Sequence, residues 1–121
     1  MTTAKRYLKK QFRHARIRKK VMGTAQRPRL YVFRSSNNLY AQIVDDQKGK
    51  VLFGLSTRNK GILGKIKNGG NVTAAKILGE EISNLAQTKG VKAICFDRGG
   101  YKYHGRIKAF AEAAREAGME F

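Results

Sequence analysis

The densest chemistry in the chain is the segment Asp97-Arg-Gly-Gly-Tyr-Lys-Tyr-His-Gly-Arg106. Gly100 and Gly105 have the spacing of a phosphate-cradling loop, G-x-x-x-x-G-K-[ST]. In that loop, backbone N–H groups and a lysine hold the nucleotide and a hydroxyl ligates magnesium. The match stops where the chemistry would begin, because Arg106 stands at the lysine position and Ile107 at the hydroxyl position. Nucleotide hydrolysis is disfavoured. What the segment offers instead is phosphodiester binding, with Arg98, Lys102 and Arg106 as cations. Tyr101 and Tyr103 add ring faces for bases and edges for ribose hydroxyls. Read only as a turn, it would pack Tyr103 and His104 on the body, and Asp97 would cap the loop or pair with Arg98 or Arg106.

A catalytic reading must draw on few carboxylates. Asp45, Asp97 and the Glu80-Glu81 pair make a small metal-dependent nuclease conceivable. Asp45-Asp46, however, falls at a turn, where aspartate serves the backbone. Neighbouring Glu80 and Glu81 point to different sides of a helix. His14 and His104 have no serine or cysteine nucleophile at a recognisable spacing. Cys95 is the only cysteine, which excludes a disulfide framework and a cysteine-based zinc site. It reads as a small core residue in a reducing compartment. No enzyme activity, cofactor or metal is expected.

The elements that must position these residues follow from periodicity. Leu30–Arg34, Leu39–Asp45 and Val51–Thr57 read as three antiparallel strands, the last with Val51, Phe53 and Leu55 on one face. Gly49 makes the second connection a hairpin turn. Residues 58–70 are rich in glycine and lysine and read as a mobile loop. Asn71 can cap a helix with Ala75, Leu78, Ile82, Leu85 and Ala86 inward, stopped at Gly90. Val91–Asp97 is apolar over the consecutive residues Ala93–Phe96, as a strand buried on both faces would be. Arg106–Ala117 forms the last helix. The expected fold is α/β, in the order α-βββ-α-β-α: a mixed sheet of about four strands packed with two helices, preceded by a basic helical arm. Residues 1–28 form the arm and 29–121 a single body.

That arm carries the charge. The chain has 121 residues and a formal net charge of +18, and twelve Lys and Arg precede the first carboxylate, Asp45. Like charges three or four residues apart repel, so a helix over Lys5–Met22 needs an external anion to neutralise it. It is expected to be frayed alone and helical against phosphates, with Leu8, Phe12, Ala15 and Met22 near one face and Gly23 ending it. A cleaved targeting peptide would be richer in serine. A membrane-surface helix would show a broader apolar face, and no apolar run approaches the roughly 18 residues of a membrane span. The eleven aromatic residues argue for a folded body and not for a disordered polycation. A polyanionic partner, nucleic acid, remains, reached through both arm and loop. A general nucleic-acid packaging protein satisfies the same charge.

Several segments together resemble one family. They are Arg16-Ile-Arg-Lys-Lys-Val21, Arg27-Pro-Arg-Leu-Tyr-Val-Phe-Arg-Ser35, Leu39-Tyr-Ala-Gln-Ile-Val-Asp-Asp46, Phe96–Arg106 and the ending Ala111–Phe121. They are similar to the bacterial and plastid type of large-subunit ribosomal protein eighteen, the 5S rRNA-binding family, over about Arg16 to Phe121. The resemblance implies a non-catalytic protein that binds 5S rRNA in the central protuberance, near large-subunit rRNA and large-subunit protein five. It implies a ribosome in the bacterial cytoplasm or plastid stroma. Contacts implied by matching positions are Arg16, Arg18, Lys19, Arg27, Arg29, Arg34 and Ser35, with Arg98, Gly99, Gly100, Tyr103, His104 and Arg106 from the loop. The charge and aromatic pattern adds Lys9, Lys10, Arg13, Lys20, Tyr101 and Lys102.

Overall fold

A computed structural model describes residues 3–20, 22–35, 37–59 and 71–121. The chain runs α1 (Thr3–Lys20), β1 (Arg29–Arg34), β2 (Leu39–Asp45), β3 (Lys50–Ser56), α2 (Val72–Thr88), β4 (Cys95–Asp97) and α3 (Arg106–Glu116). The strands form one mixed sheet in the order β3-β2-β1-β4, with β4 parallel to β1 and the other pairs antiparallel. This is the expected α/β architecture, with β4 reached by the crossover that a parallel pair requires. The part of the expected mobile loop that spans 60–70 lies outside the described residues.

One sheet face carries Leu30, Val32, Leu39, Ala41 and Ile43, all fully buried against Leu78, Ile82, Ile107 and Phe110 of α2 and α3. Asn71 caps α2 by accepting from the Ala74 N–H at 2.8 Å. The two helices pack backbone to backbone at Gly79, where a Cβ would collide with the Phe110 carbonyl oxygen.

Two expectations are corrected. Val51 is half exposed, because a register shift between Ile43 and Val44 sets it opposite Val44, off the row of Phe53 and Leu55. The strand expected over Val91–Asp97 shrinks to Cys95–Asp97 at the sheet edge, and Cys95 and Phe96 are only partly buried. The reason is competition: the Ile94 N–H donates to the Glu120 carbonyl and the Glu120 N–H to the Lys92 carbonyl. Those residues thus pair with the C-terminal segment before β1 begins opposite Cys95.

In α1 the apolar residues do not face the body: Leu8 and Phe12 are exposed. The side that rests on the body carries Lys10, Arg13, His14 and Arg18, which meet carboxylates, a carbonyl and a tyrosine.

Candidate nucleic-acid interface

The sheet face away from α2 and α3 positions this interface. Asp97, the last residue of β4, is fully buried and accepts from Arg29 Nη1 at 2.6 Å and from the Gly99 N–H at 2.9 Å. The His14 ring on α1 lies 2.9 Å from the same carboxylate through Nε2 and stacks on Tyr31 with ring centroids 5.1 Å apart. Asp46 accepts from Arg29 Nε at 2.9 Å, from Arg29 Nη2 at 3.1 Å and from the Gly23 N–H at 2.7 Å. Asp97 thus caps the loop through the Gly99 N–H, one of the two roles the turn reading allowed, and its charged partners are Arg29 and His14, not Arg98 or Arg106.

Electrostatics follow from this geometry. Burial disfavours the Arg29 charge, but hydrogen bonds and attraction from Asp46 and Asp97 outweigh it and raise its pKa. Burial would likewise push Asp46 up. Its bonds to Arg29 and Gly23, with the Arg29 and Arg18 cations, hold it below the usual carboxylate range instead. Asp45 is separate and serves the hairpin, accepting from the Gln47 and Lys48 N–H groups.

Above this buried layer, α1 lies on the glycine loop. Arg13 Nε donates to the Gly100 carbonyl at 2.7 Å, and Lys10 Nζ donates to Tyr101 Oη at 3.0 Å while sitting 4.5 Å from that ring's centre. Gly100 has φ of +80°, and a Cβ there would strike the Lys10 carbonyl oxygen, so only glycine lets α1 come this close. Tyr101 Oη also donates to the Arg34 carbonyl at 3.2 Å, and the Arg34 guanidinium lies 4.9 Å over its ring. Arg106 Nη1 donates to the Ser35 carbonyl at 3.2 Å. Burial and then the Arg34 cation depress the Arg106 pKa, so an anion between the two would be stabilised. An open cleft of about 290 Å³ runs between Arg13, Arg34, Tyr101, Lys102 and His104.

The two cationic segments, far apart in sequence, therefore form one surface. A model of the family described as ribosomal L18 of archaea, bacteria, mitochondria and chloroplasts matches residues 4–121. The chain belongs to the ribosomal L18 family. The large ribosomal subunit protein uL18 of Desulforamulus reducens is 55% identical over 109 residues, covering 90% of this chain and 89% of that protein. The uL18 of Bacillus cytotoxicus is 51% identical over 121 residues, or 100% of this chain and 99% of its own. That of Acidobacterium capsulatum is 56% identical over 108 residues, covering 89% and 88%. The similarity reaches further into the arm than the expected Arg16 boundary. The L18 family is a structural, non-enzymatic component of the large subunit, and the nuclease reading falls with that membership.

The L18 fold distributes the expected contact residues unevenly. Lys9, Arg16, Arg27, Arg34, Ser35, Lys102, Tyr103 and His104 are exposed, and Lys10, Arg13, Arg18, Arg98, Tyr101 and Arg106 are partly so. Arg27 is anchored by Nε to the Ile94 carbonyl at 3.1 Å. Arg29, Gly99 and Gly100 are buried, which sets them beneath the surface as its support. The side chains of Lys19 and Lys20 lie outside the described residues. Sequence reasoning missed Asp46 as the second partner of Arg29, and also a row of rings. Tyr31, Phe33 and Tyr40 continue the His14 stack across β1 and β2, with centroids 5.2 and 4.8 Å apart. The signal was present in the alternation of Leu30 and Val32 with Tyr31 and Phe33, which puts two aromatics on the non-core face.

Proposed function

We propose that this chain binds 5S rRNA and fastens it into the central protuberance of the large subunit. Large-subunit rRNA would be a second contact and large-subunit protein five a neighbour. One observation carries the reading: α1 and the 97–106 loop converge on a single cationic surface faced with tyrosine. The loop's likeness to the 5S rRNA-binding family supplies the identity of the RNA. The mechanism is adhesive. Lys9, Arg16 and the other arm cations follow phosphates and release counterions, while Arg34, Lys102 and Arg106 present cations and exposed Tyr103 a ring face to folded RNA. Residues 1–28 act as the rRNA-binding arm and 29–121 as the body that seats it. The setting is a ribosome of the bacterial cytoplasm or plastid stroma.

A competition between 5S rRNA, tRNA and duplex DNA at moderate salt tests the reading. 5S rRNA should win clearly, and equal binding of duplex DNA would mark a general packaging protein instead. If about eight phosphates are engaged, log affinity should fall with log salt at a slope of about −6 to −7. Deleting residues 1–22 should flatten that slope, and an unchanged slope would remove the arm from the mechanism.

A further inference from the structure

We infer that the outer face of Tyr40 is a seat for one unpaired nucleobase, which would extend the protein's own ring stack across the sheet. His14, Tyr31, Phe33 and Tyr40 form an unbroken row, with successive planes inclined by 6°, 26° and 7°. In the ladder, Tyr40 lies between Phe33 on β1 and Ser56 on β3. Phe33 covers one side of its ring. The other side faces a serine and, along β3, Gly54, so among the described residues no protein ring completes the row. A cleft of about 170 Å³ borders that place, its lining part apolar (Phe33, Tyr40, Leu55) and part polar (Gln42, Ser56, Asn59). That volume is on the scale of cavities, about 150 Å³, that hold a single aromatic ring.

The chemistry around the cleft suits a base better than an apolar side chain. Gln42 and Asn59 bring amides and Ser56 a hydroxyl, groups that pair with base edges. Asn59 is fixed in place because its Oδ1 accepts from the Ser56 N–H at 2.6 Å. Exposed Arg58, next in the chain, supplies a cation for the adjoining phosphate. Gly54 leaves the floor without a side chain, and a Cβ there would press on the Ala41 carbonyl oxygen at 2.9 Å. A paired base has both faces covered within its helix, so the occupant is a nucleotide splayed from a loop or bulge.

The inference rests on the reading of this chain as an rRNA binder, and its test separates the two. Wild-type protein is titrated with 5S rRNA and with large-subunit rRNA, and variants are compared on whichever RNA it binds more tightly. Tyr40→Leu removes the platform and Ser56→Tyr fills the cleft. Each should weaken binding roughly five- to a hundred-fold, the range for one stacked base, with an unchanged salt slope. Tyr40→Phe keeps the ring and should bind within about twofold of wild type. Preference for the large rRNA would overturn the 5S assignment and leave the cleft tested on that RNA. Wild-type affinity in both Tyr40→Leu and Ser56→Tyr, with unchanged circular dichroism, overturns the cleft. So does a loss in Tyr40→Phe as large as in Tyr40→Leu.

Discussion

Replacing Arg29 by Met should destabilise the protein more than any exposed cation could. Arg29 has 8% side-chain exposure and makes three bonds of 2.6 to 3.1 Å to two carboxylates, themselves 0% and 9% exposed. Methionine fills similar space but leaves both carboxylates without their main counter-charge. Breaking one partner out of a buried ion pair costs about 3 to 5 kcal/mol. Here Asp97 keeps His14 and the Gly99 N–H, and Asp46 keeps the Gly23 N–H, so the expected cost is near the lower end, about 3 kcal/mol. With a urea slope of about 1 to 3 kcal/mol per molar, the unfolding midpoint should fall by about 1 to 3 M. Circular dichroism during urea titration reads this directly. The sign of the pH effect is also fixed. Asp46 is held below the usual carboxylate range, so its contribution is complete above about pH 4 and lost as pH falls through its folded value. In Arg29→Met that acid-side loss should shrink. Adding Asp97→Asn to Arg29→Met should recover part of the stability by removing one uncompensated charge. A shift below about 1 kcal/mol, or a double variant weaker than the sum of the singles, would refute the account of a buried network.

Three further outcomes are expected. Gly100→Ala combines a left-handed backbone with a collision against the Lys10 carbonyl, at a cost of about 1 to 3 kcal/mol. It should lift α1 from the loop, and limited trypsin digestion should then cut the arm faster while sparing the body. Gly79→Ala drives a methyl at the Phe110 carbonyl between α2 and α3. A net loss of about 1 to 2 kcal/mol should lower the calorimetric Tm by roughly 3 to 8 °C. Arg106→Ala should weaken 5S rRNA binding by about tenfold, measured by filter binding at one salt concentration. The same change at Lys76, exposed on α2, should have little effect, and equal losses would reduce the loop to a structural turn.

Most of the body was legible because its signals are local. Alternation around Leu30 and Val32 marked β1, the i, i+3, i+4 stripe from Ala75 to Ala86 marked α2, and Gly49 marked the hairpin. What stayed hidden depends on partners distant in sequence. Nothing in Val91–Asp97 announces that its first half would pair with Glu120 and not the sheet. The register shift that turns Val51 outward is a property of two strands, not of one. The two cationic segments were both found, but their union was not. Arg29 looked like one more surface cation, and only the placement of Asp46 and Asp97 on either side shows it to be interior.

Three of the bonds that seat α1 join residues 83 to 91 positions apart, from Lys10, Arg13 and His14 to Asp97, Gly100 and Tyr101, while that of Arg18 to Asp46 is shorter in sequence, at 28 positions. The parallel pairing of β1 with β4, Arg29 opposite Cys95, is also long-range in sequence. In the order of synthesis, the arm is made first and its seat among the last segments. Contacts of such long separation form slowly, since loop closure precedes any gain from them. A growing chain therefore keeps Lys10, Arg13 and His14 unseated until some four fifths of its residues exist. Polyanion nearby can engage the arm before the body does, so RNA present during folding should change the order in which the parts assemble as well as the final stability.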